Sequence, residues 1–394
     1  MSKRFLLTRR SALWLGLASL AGMGALVKGR DKFDNYQVQA LDNPKRDFKV
    51  VGKTSLKERA AVKRLIYGGS SVYHELSLDP EFAACFVQQC GILVPGLELK
   101  WSSPYKPLRP SPDKFDFTAG DWMAKFAKTH GLLFQGTTLV WHDALPSWFK
   151  DTVNPQNAEQ FLIKHIKTVV EHYAGQMHSW VVVNEAIEPT DERSDGLRKT
   201  PWLEFLGPDY IDLAFRVAAK ADPKALLLYN DYGLEYDNGK DEAKRTALLK
   251  LLEHLKARGT PIHALGLQAH LWGNETRFNP KKLRDFLSNV ASLGLKILIT
   301  EMDVIDKKSP SDVPVRDRIV ARAYEDYLSV VLDEPAVIAV LTWGLSDRYT
   351  WLSEFQPRGD GAPVRPLPFN AQLQRKLAWN AIARAFDKAP MHHF

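Results

Sequence analysis

The chain has 394 residues, 45% hydrophobic and 11% aromatic, so it can bury a large core, and an α/β barrel of this size commonly forms one domain. Its formal net charge is +7, yet 46 acidic residues nearly balance 53 basic ones and no basic cluster carries interleaved aromatics. The charge pattern is that of a solvated surface and excludes a nucleic-acid partner.

From the N-terminus, Lys3-Arg4 and Thr8-Arg9-Arg10 precede an apolar run from Ala12 to Val27. These are the positive and hydrophobic regions of an export signal, residues 1–30, and the paired arginines point to the twin-arginine route. The protein is expected in the periplasm or outside the cell. Retention of the segment as a membrane anchor is the alternative, since no A-x-A cleavage site follows. Residues 31–60 are polar and charged, broken at Asn43-Pro44, and read as a linker or loosely packed arm. The only cysteines, Cys85 and Cys90, lie in and just after an apparent helix. Five apart, they are off a common face, which argues for buried thiols over a disulfide.

The catalytic domain is placed at 61–388. Eight apolar stretches read as strands: Leu65–Gly69, Gly91–Leu97, Leu132–Leu139, Trp180–Asn184, Ala225–Asn230, Ala264–Gln268, Lys296–Thr300 and Val337–Thr342. Helical periodicity separates them, clearest at Phe161–Tyr173, Tyr210–Ala221, Asp241–Ala257, Pro280–Leu293 and Ile319–Leu332. Eight alternations without a Gly-rich phosphate fingerprint after the first strand predict an α/β fold, a single-domain (β/α)8 TIM barrel, rather than a doubly wound sheet.

In such a barrel functional groups collect at the carboxyl ends of the strands. Ser179-Trp180-Val181-Val182-Val183-Asn184-Glu185 is a short apolar run that stops on an amide and a carboxylate, and Lys296–Thr300 likewise stops on Glu301. Either glutamate alone is more simply a surface charge or a cap partner; two at two strand ends raise the odds of chemistry. Gln268 and His270 are two apart, as are Glu301 and Asp303, so each pair lies on one side of its strand and can converge on the axis. His270 is thereby placed to hydrogen-bond a carboxylate. His142 alone would more simply be a core histidine, Lys100 a strand-end cation, and Trp141, Trp148, Trp343 and Trp351 packing. Eleven tryptophans are generous for this length, however, and indoles near a carboxylate pair suit stacking on sugar rings. With no cluster of metal-ligand spacing, this set fits glycoside hydrolysis: one carboxyl protonated, the other ionised, with enclosure and hydrogen bonds separating their pKa values.

The chain also resembles the family 10 glycoside hydrolases, best known as endo-1,4-β-xylanases, from about Leu65 to Phe386. The motifs that carry the resemblance are Gly68-Gly69-Ser70, Leu99-Lys100-Trp101, Thr138-Leu139-Val140-Trp141-His142 with Leu145-Pro146-Ser147-Trp148, and Val182-Val183-Asn184-Glu185-Ala186. They continue with Leu197-Arg198, Pro201-Trp202, Asn230-Asp231-Tyr232, Gly266-Leu267-Gln268-Ala269-His270, Ile299-Thr300-Glu301-Met302-Asp303, Thr342-Trp343-Gly344 and Arg365-Pro366-Leu367-Pro368-Phe369. The resemblance implies that Glu185 is the acid/base and Glu301 the nucleophile of a double displacement with retention. Asn184 would contact the sugar 2-hydroxyl, while His270 and Asp303 would support the nucleophile. Lys100, His142, Gln268, Trp343 and Trp351 would line the glycone side, and Trp148 and Tyr232 would join them in binding substrate. No cofactor or metal is implied; the expected partner is a β-linked polysaccharide, and the expected state a monomer.

Departures cluster on the glycone side. Gly96-Leu97 stands where the family usually carries Glu-Asn, and Ala144 where it carries Gln. The expectation is a roomier subsite that holds a plain xylose unit less well. An endo-xylanase, a hydrolase of another β-linked glycan such as an exopolysaccharide, and a glycan-binding barrel without turnover are the readings to separate.

Overall fold

A computed structural model describes residues 41–393. Eight parallel strands close on themselves. They are β1 (Ile66–Ser71), β2 (Ile92–Pro95), β3 (Leu133–Gly136), β4 (Ser179–Asn184), β5 (Leu226–Asp231), β6 (Ala264–Leu267), then, after a short β7 (His270–Trp272), β8 (Lys296–Ile305) and β9 (Val337–Thr342). Each pairs with its neighbour, β6 pairs with β8, and β9 returns to β1, so that this (β/α)8 barrel has no free edge. The strands read as apolar runs rather than alternations because both faces are covered: all six residues of β4 and of β9 are buried. Inside, Val181, Leu228, Ala264, Leu298, Ile338 and Ala339 form one packed layer, with Ile92, Val94 and Leu341 in another. Small residues let the walls close. A Cβ on Gly136 would fall 2.1 Å from the Trp180 ring, and one on Gly68 would fall 2.2 Å from the Ile92 carbonyl oxygen.

Outside, helices cover the barrel, and their starts follow capping chemistry. Asn279 caps Pro280–Ser292 and Asp312 caps Val313–Val331, each with a proline in the first turn. That cap and Pro314 start the second helix six residues before the expected Ile319. The apparent helix around Cys85 is Pro80–Gln89, whereas Leu56–Val62, Thr118–Thr129 and Leu377–Lys388 are among the helices that went unrecognised in the sequence. Strand bounds also differ. β3 ends at Gly136 rather than Leu139, although Leu139 and Val140 still donate to the Val181 and Val182 carbonyls. β2 is four residues where seven were expected. β8 continues to Ile305 because β7 pairs with it above the rim, matching His270 to Asp303.

The 31–60 stretch was read as a loose arm, but from residue 41 on it is packed. Leu41 and Phe48 are buried, Asp42 pairs with Arg318 at 2.7 Å, and Arg46 pairs with Glu325 at 2.7 Å. Ser55 then caps the first described full helix with Glu58 in a capping box. Cys85 and Cys90 are free thiols, and burial pushes both up in pKa. The export segment lies outside the described residues. Among the described residues no helix is long and apolar enough to cross a membrane.

Candidate active site

β4 and β8 deliver the two carboxyl groups. β4 ends on Asn184, and Glu185 follows with φ +57°, a left-handed conformation unfavourable for a side chain of this size. It is held there from both ends: the Glu185 N–H donates to the Asn230 carbonyl at 2.9 Å, and its carbonyl accepts from Arg198 Nε at 2.8 Å. Three donors meet its carboxyl group. Trp141 Nε1 reaches Oε2 at 3.0 Å, while Asn184 Nδ2 and Gln268 Nε2 reach Oε1 at 3.0 and 2.9 Å. Burial pushes the Glu185 carboxyl up in pKa; the Gln268 and Trp141 bonds oppose it, and the Asp231 and Glu301 charges add to it.

Glu301 has a different shell. Asn230 Nδ2 donates to Oε1 at 2.7 Å, and His270 Nε2 lies 3.5 Å from Oε2. Asn230 also donates to Asn184 Oδ1 at 2.9 Å and accepts from Thr300 Oγ1 at 2.6 Å, so one amide ties the ends of β4, β5 and β8 together. Behind His270, Asp303 accepts from Nδ1 at 2.9 Å and, through its other oxygen, from Trp351 Nε1 at 2.8 Å. Burial alone would lower the imidazole's pKa, but Asp303 and Glu301 overrule it and hold His270 well above its ordinary value. A cationic imidazole therefore faces Glu301, whereas Glu185 faces two amides and an indole.

Lys100 approaches from the end of β2, its ammonium 5.0 Å from the centre of the Trp141 ring and 5.5 Å from that of Trp343. Burial lowers its pKa against the pull of Glu301 and Glu185. On the side of β5, Tyr232 accepts from Arg198 Nη2 at 3.0 Å and lies under the Lys244 ammonium, 3.6 Å from the ring centre. Lys244 in turn pairs with Asp231 at 2.8 Å, both side chains fully buried. His142 is half-buried with Nδ1 lacking a protein partner; burial and the Arg198 charge lower its pKa.

The structure thus brings Glu185, Glu301, Asn184, Gln268, His270, Asp303, Lys100, Trp343 and Trp351 into one constellation, with His142 and Tyr232 beside Arg198. Trp148 is the exception. Its indole N–H donates to the Arg109 carbonyl at 3.1 Å, and its ring packs on Trp101, Phe149, Phe161 and the Arg109 guanidinium, a cluster behind the cleft. Asn230 and Arg198 went unassigned, and Trp141, read as packing or a stacking surface, proves to donate to Glu185. Each stood in a motif after a strand, but only folding shows which partner each side chain meets.

Gly96 itself has close neighbours. A Cβ there would come within 3.2 Å of Val72 Cγ1 and 3.5 Å of the Ser71 carbonyl, so the end of β1 and the residue after it lie against that side. Glu98 next to it is buried and accepts from the Tyr73 N–H at 2.6 Å.

Residues 55–385 match the profile described as Glycosyl hydrolase family 10. The chain belongs to glycosyl hydrolase family 10. It is 35% identical over 303 residues to a beta-1,4-xylanase of Dictyoglomus thermophilum, covering 74% of this chain and 81% of that protein. It is also 35% identical to endo-1,4-beta-xylanase A of a Caldicellulosiruptor strain, over 80% of this chain but only 45% of that longer protein. Among solved structures, native xylanase 10B of Thermotoga maritima superposes with a TM-score of 0.76 at 32% identity, covering 85% of this chain and 98% of that one. The family 10 match thus spans the barrel and every strand end described above.

Proposed function

We propose that this family 10 chain is a retaining endo-1,4-β-xylanase with Glu185 as acid/base and Glu301 as nucleophile. The observation that carries the reading is the unequal setting of the two carboxyl groups. Burial favours the protonated form of Glu185, while Glu301 has His270, backed by Asp303, 3.5 Å from its carboxylate. In the first step Glu301 attacks the anomeric carbon, the glycosidic C–O bond breaks, and the Glu185 proton passes to the leaving oxygen. In the second, Glu185, now a carboxylate, takes a proton from water as the water oxygen attacks the same carbon and releases Glu301. Asn184 is positioned to meet the sugar 2-hydroxyl, and Lys100 with Trp343 and Trp351 to bind the sugar on the glycone side. The N-terminal segment, read as a twin-arginine signal, would deliver the enzyme outside the cytoplasm.

A second reading, another β-linked glycan, draws on Leu97 and Ala144, which offer no side-chain hydrogen bond where the resemblance leads one to expect polar contacts. The test is NMR of the first product released from xylohexaose. Retained β-configuration, together with loss of nearly all turnover in Glu301→Gln, is the expected result; an inverted product would overturn the mechanism. Faster cleavage of a different β-glycan would favour the second reading.

A further inference from the structure

The His270, Trp351 and Phe355 rings form a continuous wall leading away from Glu301. The His270 and Trp351 ring centres are 5.1 Å apart, and those of Trp351 and Phe355 are 5.3 Å apart at 45°. Trp351 precedes the short helix Leu352–Phe355 as its N-cap residue, so Trp351 and Phe355, four apart, share a face. Phe355 is 67% exposed, one of the few large apolar side chains that the described residues leave open to water.

An isolated exposed apolar side chain needs no explanation. This one differs in how firmly its support is held. Leu352 is buried against Ile305 and Val364. Three residues beyond Phe355, the buried Arg358 side chain donates to the Asp306 carbonyl at 2.6 Å, to the Ser309 carbonyl at 2.9 Å and to Asp360 at 2.6 and 3.0 Å. The loop after β9 is thereby fixed to the loop after β8, and the exposed ring is set in place before any ligand arrives. The backbone that carries the ring is therefore already ordered, which lowers the cost of binding. A rigid, solvent-facing phenyl group in line with Trp351 presents the flat apolar surface that the CH-bearing face of a pyranose covers.

We propose that Phe355 is a further sugar-binding platform, one position beyond Trp351, which takes a β-linked pyranose of a longer substrate chain and makes the enzyme sensitive to chain length. The proposal rests on the xylanase reading. Phe355→Ala and Phe355→Tyr are compared with the parent on xylohexaose and on an aryl β-xyloside, whose single sugar reaches Trp351 and not the next position. The expected result for Phe355→Ala is a roughly three- to tenfold loss of kcat/KM on xylohexaose, the size of one aromatic contact, carried by KM. On the aryl xyloside it should match the parent, and Phe355→Tyr should restore the hexaose value. Equal losses on both substrates, or none on the hexaose, would overturn the platform while leaving the xylanase reading intact. A parent enzyme that turns over neither substrate would overturn that reading, and the platform with it.

Discussion

Trp141 donates its indole N–H to Glu185 while its ring carries the Lys100 ammonium, so one side chain touches both the proposed acid and the cation proposed to bind the sugar. The hydrogen bond favours the ionised carboxyl group and thus holds the Glu185 pKa down against the larger effect of burial. Trp141→Phe keeps an aromatic ring but deletes the donor. The alkaline limb of the kcat/KM profile, which reports the acid of the free enzyme, should then move to higher pH. A limb that stays put or moves down would show that Glu185 does not set it. Glu185→Ala should retain the glycosylation step on substrates with good leaving groups, whose departure needs no proton, and lose it on xylan. Comparable loss on both would remove Glu185 from the acid role.

At the scale of elements, the strand ends are cross-braced by buried polar groups rather than by the barrel alone. Asp231, the last residue of β5, pairs with Lys244 from the helix Gly239–Ala257 and accepts from the Tyr229 hydroxyl and the Tyr232 N–H. Removing one partner of a buried pair strands the other charge, at a cost of about 3–5 kcal/mol, whereas removing both charges can be nearly neutral. Lys244→Met should therefore destabilise strongly in chemical denaturation, and the Asp231→Asn/Lys244→Met double variant should recover most of the loss. An additive double variant would mean that the pair is not coupled. The same brace locates Tyr232 and Arg198, so the single variant should also raise KM.

For the whole molecule, both raised groups in the cleft tie stability to pH with the same sign. His270 is held well above its ordinary value of 6.5, so the folded state binds its proton more tightly than the unfolded chain. Its contribution is fully present below about 6.5 and is lost as pH rises through the folded value. Glu185, raised from 4.5 chiefly by burial, likewise makes the fold less stable once pH exceeds its unfolded value. Thermal stability should accordingly fall on the alkaline side, and His270→Asn should flatten that decline above about pH 6.5. An identical decline in the variant would place the alkaline sensitivity elsewhere.

Much of this was legible in the residues themselves. The apolar runs of β4 and β9 had to be strands buried on both faces. Asn184-Glu185 and Glu301, ending such runs, had to face a polar space, and the two-residue spacings of Gln268 with His270 and Glu301 with Asp303 put each pair on one side. These are local rules of period and burial. What the tertiary structure alone decided is which side chains meet across the mouth. Asn230 joins three strand ends, Trp141 bonds Glu185, Trp148 turns into the aromatic cluster around Arg109, and Val72 closes the space beside Gly96. None of these is set by a residue's neighbours in sequence, because each depends on how far neighbouring strands are staggered when the barrel closes. That stagger follows from packing the whole interior at once, and a linear pattern of residue types does not contain it.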